Sequence, residues 1–319
     1  IPNPVLKGLA IAIVIIAIFI GNVAYETGNI TGGILGIQAV FDVPMIPIVI
    51  VLGILAFACM WVGSYKLVEK ILTGIVVFMG VVFFVTALFS PVDWGAVAAG
   101  LFTPQLPAGQ EASKGILTAV GLIGTTIVPY NLFLHASGAA ERFKDPEQIA
   151  DARFDTVLSI GLGGIISMAI LICAAANIYG NTGITVSNGK DMAMALEPLL
   201  GSWATFMIGV GLLAAITAPL SAAYAVNGVL GWGKTLKDIK FKVIWMIVLV
   251  LGCVMAVTLG KSPTQLILVA QAANAILLPI MAFFVMYVAN GKALGKWRNH
   301  AFANICGVVF IVITLFMCY

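Results

Sequence analysis

The chain has 319 residues, 61% of them hydrophobic and 9% charged, with a mean hydropathy of +1.12 and a formal net charge of +3. Soluble domains carry about 25% charged residues, so an ordinary soluble globular fold is excluded. The small net charge, with no basic block interleaved with aromatics, gives no reason to expect nucleic acid as a partner.

Nine membrane spans are predicted, at about 5–25, 45–63, 67–89, 115–139, 156–179, 199–229, 241–260, 265–289 and 300–319, near the roughly 20 residues that cross a bilayer as helix. The whole chain, 1–319, reads as one transmembrane domain. It opens with Ile1-Pro2 rather than Met, so the natural N-terminus is expected upstream, and no signal peptide is visible.

The first span closes on "IGNVAYETGNITGGILG", where Glu26 sits among small residues with Asn22 and Asn29 about a turn away. Two readings stand: a solvated carboxylate at the outer helix end, or an intramembrane acid on an ion or proton route. The stretch 90–114, "SPVDWGAVAAGLFTPQLPAGQEASK", reads as an outer connector or as part of a vestibule.

The fourth span carries "GTTIVPYNLFLHAS", residues 124–137. Pro129 near its middle removes a backbone hydrogen bond, and freed carbonyls in hydrocarbon need partners. A neighbouring helix would make this a plain kink; a ligand would make it a discontinuous transporter helix. Thr125 and Asn131 supply oxygens, and Tyr130 and His135 complete the cluster. His135 is either an imidazole bonded to another helix or part of an inner pathway.

Residues 141–155, "ERFKDPEQIADARFD", are polar, and Asp145-Pro146 with Gln148 reads as a capped start of a short surface helix leading into the fifth span. The sixth span carries Pro219 and Ser221 and is expected to bend there. In the eighth, Gln271 and Asn274 share one helical face, with Pro279 after them. They read either as interhelical glue or as hard oxygen ligands for a cation.

With alternate loops on opposite faces, one face holds only Lys114, Lys190 and Lys261; the other thirteen of the 16 basic residues lie opposite. The positive-inside rule makes that basic face, and the chain start, cytoplasmic. A plasma membrane, as in a bacterial inner membrane, is the expected location. Five cysteines (Cys59, Cys173, Cys253, Cys306, Cys318) lie far apart in apolar segments without a C-x-x-C pair, so they read as packing residues. With His135 and His300 alone, no G-x-S-x-G elbow and no Walker-type loop, neither an enzyme nor a bound cofactor is expected.

These motifs resemble one family. "VPYNLFLHAS" resembles the sixth-helix motif of the Nramp divalent-metal transporters, M-P-H-N-L-(Y/F)-L-H-S, with Pro129, Asn131, Leu132, Leu134 and His135 matching. "PVDWGAVAAGLFTPQLP" resembles the outer loop before that helix. "QLILVAQAANAILLP" resembles the tenth helix, placing Gln271 at the family's metal-facing glutamine. The resemblance implies an all-α, LeuT-like inverted-repeat fold, with the nine spans standing for helices 3 to 11 of eleven.

Two departures stand out. The family's Asp-Pro-Gly-Asn motif of helix 1 does not occur, and helices 1 and 2 are expected upstream. The metal-binding methionine falls at Val128, the following histidine at Tyr130, and the third-helix acidic pair at Glu26 and Asn29. No Arg or Lys lies between Trp245 and Gly260, where proton-coupled members carry a basic residue. These changes resemble the magnesium-transporting subgroup, although that subgroup has Ala at the methionine position.

The expectation is a secondary transporter of Mg2+ or Mn2+ without proton coupling, working as a monomer in the bilayer. Thr125, Val128, Asn131 and Gln271 would form the metal site, and Tyr130, His135, Glu26 and Asn274 the pathway. The alternatives are a sodium-coupled symporter of a small organic solute such as an amino acid, or a membrane scaffold that binds metal without moving it.

Overall fold

Helix α1 runs from Pro4 to Val40 without interruption in the computed structural model of the chain. Residues 4–62, 65–103, 105, 112–179, 186, 189–213, 218–232, 238–259 and 263–318 are described. At 1.5 Å per residue α1 is about 55 Å long. The first predicted span, ending near residue 25, is therefore too short. Thr27 and Thr31 donate their hydroxyls to the carbonyls of Val23 and Thr27 one turn back, and the Asn22 amide does the same to Ile18. Polar side chains that bond their own helix let it continue through apolar surroundings.

The remaining helices are α2 (Met45–Val62), α3 (Tyr65–Phe89), α4 (Trp94–Phe102), α5 (Ala112–Thr126), α6 (Pro129–Arg142), α7 (Ile149–Ala174), α8 (Gly189–Ala193), α9 (Glu197–Leu200), α10 (Ala204–Leu213), α11 (Ala218–Leu230), α12 (Ile239–Leu259), α13 (Pro263–Ala289) and α14 (Ala301–Cys318). No strand occurs among the described residues. By length and composition, 11–40, 149–178, 239–259 and 265–289 each suffice to cross a membrane, and shorter apolar helices occupy 45–61, 115–126 and 301–316.

The stretch expected as a connector at 90–114 contains α4, turned 115° from the second half of α3. Asp93 starts it by accepting the Ala96 N–H at 3.0 Å, the usual N-cap bond. The polar stretch 141–155 is shared between the end of α6, a 3-10 turn at Pro146–Gln148 and the first turns of α7. Gln148 Oε1 accepts from the backbone N–H groups of Lys144 and Asp145, so the glutamine closes that helix start from inside. The distal end of α7 widens into a π turn at Ala175–Tyr179.

Helix α1 is central. It packs on α10, α11, α12 and α13, while α5 lies along α13, α6 on α11, α2 on α12, α7 on α3 and α14 on α13. Glycines let the helices approach. A methyl group at Gly21 would meet Asn274 Oδ1 at 2.9 Å, and one at Gly28 would meet Gln271 Nε2 at 3.3 Å, so α1 and α13 touch where each carries polar groups. Phe241, Trp245 and Leu249 of α12 fill the space between Ala56 and Met60 of α2 and Leu220 and Ala223 of α11.

Candidate metal site at the broken helix

The predicted fourth span is two helices. Helix α5 ends at Thr126, Val128 is extended (φ −89°, ψ 130°), and α6 begins at Pro129. The cause is local. Proline has no N–H to give the Thr125 carbonyl, and its ring disfavours helical geometry in the preceding residue. The Asn131 N–H turns back to the Val128 carbonyl at 3.0 Å, a tight first turn. The Thr126 hydroxyl donates to the Leu122 carbonyl, so this side chain serves its own helix.

The predicted site residues divide into two groups. Gln271 and Asn274 lie together on α13: the Asn274 amide donates to Gln271 Oε1 at 3.1 Å, and both are buried. Asn274 Oδ1 has no hydrogen-bond partner. Thr125 and Asn131, on either side of the break, are exposed. Val128 is 1% exposed, packed against Ala218 at the start of α11 and Tyr25 of α1. Tyr130 stands in the first turn of α6; its side chain is outside the described residues.

What joins the break to α13 is Gly124. A methyl group there would collide with the carbonyl oxygen of Gln271 and lie 2.9 Å from the Ala275 nitrogen, so the backbones of α5 and α13 are in contact one residue before Thr125.

His135 of α6 bonds Thr156 of α7, Nε2 to Oγ1 at 2.8 Å. The Thr156 hydroxyl itself donates to the Ala152 carbonyl, so Nε2 is the donor in this pair. Arg142 and Asp155 form an exposed ion pair at 3.3 Å a little further along the same two helices.

Glu26 is not at a helix end. It sits within α1, fully buried, against Gly252 of α12, where a methyl group would come within 2.5 Å of its Cγ. The Asn29 amide donates to Oε2 at 3.2 Å, and Oε1 has no partner. The reading of Glu26 as a solvated terminal carboxylate is therefore corrected. Glycine 252 leaves the room that the acid occupies.

Sequence reasoning missed three buried amide or indole groups. Asn177 in the π turn donates to Ser90 Oγ at 2.8 Å and to the Ala195 carbonyl, tying α7 to α3 and α8–α9. Asn227 of α11 and Trp245 of α12 are also buried, and Asn227 Oδ1 and Trp245 Nε1 lack partners. An asparagine inside an apolar run was the available signal for the first two. Among the described residues, no three His, Cys, Asp or Glu side chains converge as metal ligands. Any cation here would meet amide and carbonyl oxygens, hard donors suited to hard ions.

Over residues 2–319 the sequence matches the Nramp family, described as natural resistance-associated macrophage protein-like. It is 25% identical over 295 residues to a protein named divalent metal cation transporter MntH from Caldanaerobacter subterraneus subsp. tengcongensis, covering 90% of this chain and 69% of the relative. It is 25% identical over 309 residues to a protein of the same name from Yersinia pestis, covering 92% and 72%. A crystal structure of the Eremococcus coleocola manganese transporter, in complex with an aromatic bis-isothiourea substituted compound, superposes with a TM-score of 0.75 at 16% identity, covering 97% of this chain and 70% of that one. The likeness in structure establishes the LeuT-like transporter fold, and the chain belongs to the Nramp family.

Proposed function

We propose that the protein moves a divalent metal cation, Mg2+ or Mn2+, across its membrane by alternating access. The observation that carries this reading is the interruption of α5 and α6 at Ile127–Val128, beside the buried Gln271–Asn274 pair. A broken membrane helix exposes backbone carbonyls at mid-depth, where they can replace part of an ion's hydration shell. The Thr125 carbonyl and the side chains of Asn131 and Gln271 are the proposed ligands, with Val128 as the apolar wall where other members place a thioether. The names of the relatives, divalent metal cation transporter and manganese transporter, support the same cargo.

The oxygen-only donor set favours a hard ion that keeps several of its waters. Transport without proton coupling is proposed because α12 carries no Arg or Lys from Trp245 to Leu259. Tyr130, His135, Glu26 and Asn274 would line the route. The face holding thirteen of the 16 basic residues would lie in the cytoplasm, and the protein would work as a monomer in a plasma membrane.

The test is uptake by the natural full-length protein in liposomes, with a Mg2+ or Mn2+ indicator and a pH-sensitive dye inside. Divalent influx without acidification is expected. Absence of flux from folded protein would remove the transport reading, and stoichiometric acidification would remove the uncoupled one.

A further inference from the structure

The seam between α2 and α12 has a built chemistry that ion transport does not use. On α2, Ile50, Ile54, Phe57 and Trp61 follow one another at helical spacing and are all exposed. On α12, Val243, Ile247, Val250 and Val254 form a matching exposed stripe. The floor between them is closed: a methyl at Gly53 would lie 3.3 Å from Cys253 Sγ, and Phe57 meets Trp245 edge to face at 5.4 Å.

One end of this apolar seam is crowned by charge. The Lys242 ammonium lies 3.9 Å from the ring centroid of Trp61, and Trp61 stacks on Phe57. Around the first turn of α12, Lys240 lies 4.8 Å over the ring of Trp232. The acid beside them, Asp238, accepts the Lys240 backbone N–H at 3.1 Å and caps the helix. Indole rings settle at the membrane–water interface. A cation held over such a ring is thereby fixed at headgroup depth, with aliphatic surface running inward from it.

We propose that the α2–α12 seam is a binding site for an anionic phospholipid, its phosphate against Lys242, with Lys240 in the same first turn of α12 adding to the field that attracts it, and its acyl chains along the two aliphatic stripes. The two parts of the surface select the occupant. Free phosphate would use the lysines and leave the stripes uncovered, and a neutral lipid would cover the stripes and leave the lysines unmatched. A phospholipid with net negative charge matches both. Juxtamembrane lysines contribute to anionic-lipid attraction at a level that makes each removal cost about fivefold in affinity.

The experiment is lipid retention measured by native mass spectrometry on detergent-purified protein supplied with phosphatidylglycerol or phosphatidylcholine. Wild type is expected to retain phosphatidylglycerol preferentially. The double variant K240Q/K242Q should lose that preference by about 25-fold, while Lys242→Arg, which keeps the charge and the ring contact, retains it. The variant K144Q/R153Q changes two exposed basic residues around the α6–α7 turn and should behave as wild type. Monodispersity on size exclusion reports folding for each.

Undiminished retention by K240Q/K242Q overturns the proposal. So does an equal loss in K144Q/R153Q, which would mean diffuse surface charge, and so does heat stabilisation by inorganic phosphate alone equal to that by the lipid.

Discussion

Replacing Gly124 with alanine tests whether the break is held in place by contact between α5 and α13. The added methyl would stand 2.8 Å from the carbonyl carbon of Gln271 and 2.9 Å from the Ala275 nitrogen, and closer still to the Gln271 carbonyl oxygen. Ordinary contacts begin near 3.4 Å, so the helices must separate by at least half an ångström. The obstacle is backbone, which cannot rotate aside. Overpacking costs about 1–3 kcal/mol, and the upper end applies here, or about 4–5 °C in melting temperature for a chain of this size. Since Thr125 follows directly, the same displacement moves a proposed ligand away from Gln271. Metal uptake in liposomes should therefore fall at least tenfold. Gly161→Ala in α7, where a methyl meets nothing within 4 Å, is the control and should change neither quantity. A Gly124→Ala protein that melts with wild type and transports at full rate would refute the claim that this contact positions the break.

The other predictions are smaller in scale. Val128→Met should shift uptake toward Mn2+ over Mg2+ if this wall meets the ion; an unchanged ratio would mean that its packing on Ala218 and Tyr25 is its whole role. Asn274→Leu removes the donor to Gln271 Oε1 and should lower transport with a stability change of about 1 kcal/mol, read by heat-induced aggregation and uptake together. Asn177→Leu leaves the Ala195 carbonyl without its donor in a buried place, while the Ser90 hydroxyl keeps its bond to the Thr86 carbonyl, and should cost about 1–3 kcal/mol, seen as a lower melting temperature. Arg142→Ala, by contrast, breaks an exposed ion pair worth about 0–1 kcal/mol and should leave the melting temperature nearly unchanged.

Hydropathy located the spans well where a helix is apolar throughout, as for α2, α3, α12, α13 and α14. It failed at α1 because it measures where side chains prefer lipid, not where the backbone stops being helical. Thr27 and Thr31 look like the polar end of a span, yet their hydroxyls are consumed by the carbonyls behind them. The break at Ile127–Val128 was legible because proline lacks a donor, a fact of covalent structure that no tertiary contact repairs. The α4 helix was not, since Gly and Pro around a nine-residue apolar stretch read equally well as a connector. For the site, the i,i+3 spacing of Gln271 and Asn274 placed them together, and they are bonded. The role of Gly252 was invisible, because a glycine reveals nothing about which neighbour fills its missing side chain.

Two glycines explain how the break communicates with α1. Gly124 brings the backbone of α5 onto the carbonyl of Gln271, and Gly28 brings α1 to within contact of the Gln271 side-chain amide. Gln271 is thus touched from both sides, by its main chain and by its side chain. Asn274, one turn later, repeats the second contact at Gly21. A shift of α5 along α13 is therefore felt first at Gln271, and through Gly28 at the stretch of α1 where Glu26 lies buried against Gly252. At Gly124 the contact is backbone to backbone, so no side chain absorbs the shift there, and from α13 to α1 it passes through the buried, mutually bonded side chains of Gln271 and Asn274. The polar pair on α13 thus stands in contact with both the broken helix and the stretch of α1 that holds the buried carboxyl.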